Sequence, residues 1–349
     1  MKILGIESSC DDTSAALLKC SKGGCFILRE STASQIAIHK KYGGVVPEIA
    51  GRIHAEKIIP LIEHVLNGKK PDAIAVATGP GLITGLIVGV EATRTLSAAW
   101  NIPAIRVNHI AGHIHSVKIG KKEIAYPTLA LVVSGGHTEI IKMPAPNKYE
   151  MIGATRDDAA GECFDKVAKL LNLPYPGGPQ ISKIALKGKA DAIKFPRPML
   201  NDDNYDFSFA GLKTSALYYL RDNQKVNKAD FCASFEQAIV DTLVGKMARA
   251  IKKFKPKTVI LCGGVSANKK LREILKDTVA QTMNCELRTP KLPYCMDNAV
   301  MIARAGYSIA SSPRHAYRQA GRRGSSQNIR GTTPWRKLQA DPNWELGRD

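Results

Sequence analysis

The chain has 349 residues, 44% of them apolar, and carries 50 Lys and Arg against 31 Asp and Glu, a formal charge of +19. That length suits two domains or one duplicated fold, and the apolar fraction suits a soluble globular protein with a real core. No run of eighteen apolar residues occurs and Glu7 comes too early for a signal peptide, so neither a membrane span nor a secretory leader is expected.

Residues 2–7 alternate into a first strand, 8–13 form a polar turn, and a second strand follows over 14–19. Residues 71–78 predict a buried strand that runs into Gly79-Pro80-Gly81-Leu82 and then a helix to Trp100. Val107-Asn108-His109-Ile110-Ala111-Gly112-His113-Ile114-His115 sets two imidazoles, His109 and His113, four residues apart on one helical face, close enough to share a metal ion. The spacing alone is weakly specific in a chain with eight His. A late Asp297 in Tyr294-Cys295-Met296-Asp297-Asn298-Ala299 completes two His and one carboxylate with open positions, the donor set of a catalytic rather than a closed structural site.

The strand–turn–strand pattern recurs at 128–142 around Ser134-Gly135-Gly136-His137-Thr138, and the strand–glycine turn–helix pattern recurs at 257–279 around Gly263-Gly264-Val265-Ser266-Ala267-Asn268. A single glycine turn reads as ordinary βα punctuation. Two matched pairs read as a duplicated fold whose turns grip phosphate through backbone N–H groups. Between them, Gly161-Glu162-Cys163-Phe164-Asp165-Lys166 opens a helix, Pro176-Gly177-Gly178-Pro179 makes a rigid turn, and 204–214 precedes another helix. No Gly stands before Lys213, so Walker spacing fails there. An amphipathic helix is expected over 230–254 and a last one over 298–311. Beyond Pro313 the composition turns basic and poor in apolar residues, which predicts a disordered tail over 313–349, with Trp335 and Trp344 as anchors to the body or to a partner.

The eight cysteines (10, 20, 25, 163, 232, 262, 285, 295) are scattered without a C-x-x-C pair, which predicts reduced thiols in a cytosol. The positive charge reads either as solubility or as affinity for a polyanion, with clusters at 183–197, 246–257, 269–276 and in the tail. No RRM, KH or zinc-finger pattern accompanies them, so a nucleic acid would be held by shape and backbone charge.

Several blocks together resemble the bacterial TsaD family. They are Ile6-Glu7-Ser8-Ser9-Cys10-Asp11-Asp12-Thr13, the block from Ser34-Gln35 to Arg52-Ile53-His54, and Gly79-Pro80-Gly81-Leu82. The match continues through His109-x-x-x-His113, Val133-Ser134-Gly135-Gly136-His137-Thr138, 161–166, 207–214, 263–268 and Asp297-Asn298-Ala299. The resemblance runs in order from residue 1 to about 312. It implies an α/β fold of the two-lobed actin, hexokinase and Hsp70 (ASKHA) type with a cleft. One lobe would comprise 1–125 and 297–312, the other 126–296 with a family-specific insertion at about 155–235. It implies transfer of threonylcarbamoyl from threonylcarbamoyl-AMP to the adenosine 3′ of the anticodon, in tRNAs reading codons that begin with A. The implied cofactor is one divalent metal, iron or zinc, with threonylcarbamoyl-AMP or ATP/AMP as nucleotide ligand. The implied partners are tRNA, an inactive paralogue (TsaB), a small ATPase (TsaE) and an upstream synthase (TsaC), all cytoplasmic.

Carried over by position, the resemblance puts the metal on His109, His113 and Asp297, substrate phosphate at Val132, Val133, Ser134, Gly135 and Gly136, ribose at Asp165 and Gly178, and the nucleotide also at Asn268. Asp11 is the candidate catalytic residue, as a base for the amine or as an orienting group. His137, Gly263 and Gly264 are secondary candidates. Asp12 departs from the family's usual Glu, and Ser182 stands where many relatives carry an acid. His115 is read as lying behind the ligands or at the surface, His39 and His54 as structural or partner-facing, and Cys10 as no nucleophile because no basic neighbour lowers its pKa. Two other classes stay open: a metal-dependent glycoprotease, although Ile110 occupies the place of the zincin Glu, and an ASKHA-type small-molecule kinase.

Overall fold

A computed structural model describes residues 1–121, 123–223, 225–282, 285–312, 329 and 331–347. In chain order, the first part holds β1 (Lys2–Glu7), β2 (Asp12–Ser21), β3 (Gly24–Ser34), a single turn α1 (Ile36–His39), α2 (Pro47–Leu66), β4 (Ala73–Gly79), α3 (Ile83–Trp100), β5 (Ala104–Asn108) and α4 (His109–Ser116). The second holds β6 (Thr128–Val133), β7 (Thr138–Ala145), β8 (Lys148–Ala154), α5 (Ala160–Leu170), α6 (Gly177–Ala185), α7 (Ala210–Asp222), α8 (Lys228–Phe254), β9 (Thr258–Cys262), α9 (Lys269–Thr282) and β10 (Glu286–Arg288). Helix α10 (Ala299–Ser311) follows.

Contacts divide the chain into two units. Unit 1 comprises Met1–Gln35, Pro47–Glu123 and Asp297–Glu345, and unit 2 comprises Ile36–Val46, Ile124–Met296 and Leu346–Asp349. Unit 1 carries a five-stranded sheet in the order β3-β2-β1-β4-β5, and unit 2 one in the order β10-β9-β6-β7-β8. In each, the first strand pairs antiparallel with the second and parallel with the fourth, while the outer pairs are antiparallel on one side and parallel on the other. The two sheets therefore have one topology, as the paired turns in the sequence imply.

Central strands β4, β6 and β9 are buried along their whole length, so they read as continuous apolar runs rather than as alternation. In unit 1, Leu4, Ile6, Leu17, Ile74 and Val76 meet Ile58, Ile62 and Val65 of α2 and Val90 of α3. In unit 2 the core gathers Leu129, Leu131 and Ile140 against Phe164, Phe207, Phe231 and Phe235. Strands β3 and β8 and helix α2 have no counterpart among the predicted elements. β3 and β8 are edge strands whose residues mix buried and exposed positions, which weakens their periodicity.

Two expectations need correction. The tail is not disordered throughout: Leu338 is fully buried in the unit 1 core, Thr333 N–H donates to Ala104 O at 2.8 Å, and Asp341 N–H donates to Thr78 O at 2.7 Å. Trp344 lies under the Arg106 guanidinium, 4.6 Å from its ring centroid. Sparse apolar residues signal disorder only when no groove receives them, and here one Leu and one Trp suffice. Residues 313–328, 330, 348 and 349, also part of that expectation, lie outside the described residues. The thiols are not all reduced either: Cys20 and Cys25 face each other across the β2–β3 hairpin with their sulfurs 2.09 Å apart. Spacing gave no sign of this, because only hairpin register sets the two side by side.

Candidate metal centre and glycine turns

Unit 1 builds the histidine site from four pieces. Asn108 caps α4, its Oδ1 accepting from Ile110 N–H at 2.9 Å and Ala111 N–H at 3.3 Å, which starts the helix at His109. Helix α10 packs on β1 and α4. Small residues permit the approach: a side chain at Gly5 would collide with the Ala299 carbonyl, and one at Gly112, between the two His, would press on Ile302 and Met301. Asn298 caps α10 by accepting from Met301 N–H at 2.9 Å, and Ala299 N–H donates to Ser14 Oγ at 3.0 Å. Asp297, just ahead of that cap, is thereby delivered to α4.

Asp297 Oδ1 lies 3.1 Å from His113 Nε2 and 3.4 Å from His109 Nε2, and donor atoms of the three residues all fall within 4.8 Å of one another. His113 is fully buried, and neither of its ring nitrogens makes a hydrogen bond among the described residues. A buried imidazole nitrogen that makes no hydrogen bond is costly unless something else takes its lone pair. An ion at about 2.1 Å from each donor would set neighbouring donors about 3.0–3.4 Å apart, which is where Asp297 Oδ1 stands from both Nε2 atoms, so this donor set suits a divalent metal. Burial disfavours charge on His109, but the carboxylates of Asp297 and Glu7 outweigh it and hold its pKa well above the ordinary value. Burial likewise opposes ionisation of Asp297, yet His109 and His113 bring it well below the usual carboxylate range.

The turn between β1 and β2 faces this site. His54 of α2 donates from Nε2 to the Cys10 carbonyl at 3.0 Å, while its Nδ1 meets Thr13 Oγ1 at 2.8 Å. Asp11 sits half-buried in that turn, its carbonyl accepting from Gln35 N–H at 3.0 Å. Asp12 is pushed up to about 7, chiefly by burial and further by Asp11, Asp297 and Glu7, against a hydrogen bond from Ser34. Burial and the neighbouring Asp11 and Asp297 raise the Cys10 thiol well above its usual range. His115 is buried on α4 but is not one of the three clustered residues, and His39 of unit 2 is a buried acceptor for Val46 N–H at 3.3 Å.

In unit 2, Val132 and Val133 end β6, and Ser134 closes the hairpin turn: its N–H donates to His137 O at 2.8 Å and its Oγ accepts from His137 N–H at 3.1 Å. An added Cβ at Gly135 or Gly136 would meet no atom within 4 Å, so internal packing does not demand glycine there. Gly263 is different, with φ +90° and the Val133 carbonyl where a side chain would go. Gly264 follows it in a short 3-10 turn. Asp165 on α5 accepts from Gly177 N–H at 2.6 Å, beside Gly178 at the start of α6. Asn268 caps α9 through Leu271 N–H at 2.8 Å and donates to Ser182 Oγ at 3.0 Å and Glu236 Oε1 at 2.7 Å.

Two residues were not among the sequence candidates. Glu236, on α8, is a buried carboxylate that also accepts from Ser182 Oγ at 2.6 Å, so the acid absent at 182 stands one hydrogen bond behind it. Glu7 is fully buried against His109. The available signal was an acid closing an otherwise apolar strand.

The model of the TsaD family, described as tRNA N6-adenosine threonylcarbamoyltransferase, matches residues 26–304. The chain belongs to the TsaD family. A relative of that name from Bacillus subtilis (strain 168) is 47% identical over 93% of this chain and 95% of its own length. One from Listeria innocua serovar 6a is 48% identical over 87% and 90%. Among solved structures, a full-length HypF in its phosphate- and nucleotide-bound form superposes with a TM-score of 0.59 at 14% identity, covering 88% of this chain and 55% of that one. An activator of the 2-hydroxyisocaproyl-CoA dehydratase from Clostridium difficile, with ADPNP bound, gives 0.51 at 14% identity over 90% and 100%. These distant likenesses carry the fold alone, and that fold is the α/β ASKHA type implied by the sequence for this TsaD member.

Proposed function

We propose that this chain is a tRNA N6-adenosine threonylcarbamoyltransferase that moves the threonylcarbamoyl group of threonylcarbamoyl-AMP to the adenosine 3′ of the anticodon, in tRNAs reading codons that begin with A. The observation that carries the reading is the His109–His113–Asp297 cluster, in a chain nearly half identical to relatives bearing that name. AMP is already a good leaving group, so the protein's work is positioning and charge stabilisation rather than making a strong nucleophile. A divalent ion, iron or zinc, held by His109, His113 and Asp297 would supply Lewis acidity toward the acyl oxygen. Asp11 would orient the incoming amine or take its proton. The open backbone at Gly135 and Gly136 offers N–H groups to phosphate, with Val132 to Ser134 holding that turn. Asp165, Gly178 and Asn268 contact the nucleoside, and His137, Gly263 and Gly264 border it.

The proposed partners are tRNA, a TsaB-like paralogue, a TsaE-like ATPase and a TsaC-like synthase, in the cytoplasm. No helix among the described residues is long and apolar enough to cross a membrane. A zincin-type protease is disfavoured by Ile110, and a kinase would have no use for the histidine pair. The test supplies labelled threonine, bicarbonate and ATP with the partner proteins and unmodified tRNA. Label is expected in tRNA with the wild type and absent with His113→Ala or Asp297→Ala. Labelling at the wild-type rate by both variants would overturn the reading.

A further inference from the structure

We propose that Glu7 is a positioning residue for the metal site, holding the Nδ1–H of His109 so that Nε2 alone faces the ion. The side chain is fully buried at the end of β1. Its Oε1 accepts from Ser9 N–H at 2.6 Å and its Oε2 meets His109 Nδ1 at 2.9 Å. No Lys or Arg pairs with it among the described residues. A buried carboxylate without a cation is expensive, and nothing in the strand asks for one, since Ile3, Leu4 and Ile6 already fill the core. Among the described residues, its one charged or chargeable hydrogen-bonding partner belongs to the candidate metal cluster.

The geometry gives that partnership a direction. Carboxylate oxygens accept, so the hydrogen bond between them is donated by Nδ1–H of His109 to Oε2 of Glu7. The ring is then fixed with its Nε2 toward Asp297, 3.4 Å away, and the edge-on ring of His113, 4.7 Å between centroids. Ser9 Oγ, 3.0 Å from the same Nδ1, closes the remaining approach. Charge agrees with geometry: the two carboxyl groups of Asp297 and Glu7 match the two charges of a divalent ion. Carboxylates behind a ligating imidazole set its tautomer and orientation, and losing one typically weakens metal binding by about 10–100-fold.

This inference rests on the metal-site reading, and the experiment separates the two. Metal-free wild type, Glu7→Gln and His113→Ala are titrated with Zn²⁺ against a chromophoric chelator, with circular dichroism and thermal unfolding of each metal-free protein alongside. The expected result is one Zn²⁺ per wild-type chain, none for His113→Ala, and binding weaker by about 10–100-fold for Glu7→Gln with an unchanged fold. Wild-type affinity in Glu7→Gln overturns the role of Glu7 and leaves the metal site standing. Wild type that binds no Zn²⁺ overturns both. Should Glu7→Gln fail to fold, histidine ¹⁵N spectra of the Zn²⁺-loaded wild type decide. Ligation through Nε2 with a protonated Nδ1 at His109 is expected, and ligation through Nδ1 overturns the proposal.

Discussion

Asp12 shows how much of a residue's chemistry lies outside its own letter. A carboxylate in a solvated turn would titrate near its ordinary value, whereas burial beside Asp11, Asp297 and Glu7 carries it to about 7. The folded state then holds the proton more tightly than the unfolded chain. The contribution of Asp12 to the stability of the metal-free protein should therefore fall as pH rises from about 4 to about 7 and stay flat above that. Asp12→Asn is expected to remove this slope, with a ceiling of about 4 kcal/mol at pH 8. Thermal unfolding of both metal-free proteins from pH 4 to 8 checks it, and parallel curves would contradict it. Ser182 makes the same point in unit 2, since its meaning depends on Glu236, fifty-four positions away in the chain.

At the scale of elements, α4 depends on segments remote from it. Asn108 caps the helix with Oδ1 and gives its Nδ2 hydrogens to the Trp344 carbonyl at 3.0 Å, so one side-chain amide joins helix start and C-terminal segment. Asn108→Ala is expected to cost about 1 kcal/mol in urea unfolding and to weaken Zn²⁺ binding. Asn108→Asp keeps the cap but gives up the donor to Trp344, so it should recover only part of the loss. Equal losses in both variants would show that the cap is not what matters. The same segment lies on the turn after β4: Gly79 adopts φ +155°, and a side chain there would strike the Asp341 carbonyl. Gly79→Ala should therefore release residues 339–345, read as faster proteolysis beyond Leu338, and an unchanged digestion pattern would refute that contact.

For the molecule as a whole, the charge of +19 makes a quantitative demand. If the chain meets tRNA through phosphate, affinity must fall steeply and log-linearly with salt. A salt-independent affinity would remove the electrostatic reading. Truncation after Ser312 then asks what the C-terminal region adds. Loss of slope would place phosphate contacts there, while weaker binding with the same slope would point to the packing of Leu338 and Trp344 on unit 1.

The sequence by itself determined the α/β class, the duplication and the family, and it named the residue types of the candidate site. Strand–turn periodicity and the His109–His113 spacing are local properties, written within a few residues of where they act. Only the tertiary structure decided that Asp297 reaches those imidazoles, because that requires α10 to settle on the glycines of β1 and α4. The Cys20–Cys25 pair, the docked tail and the buried carboxylates of Glu7 and Glu236 were likewise beyond local reading. Each is a meeting set by strand register or helix packing, and a buried acid looks like any surface acid until its surroundings have been assembled.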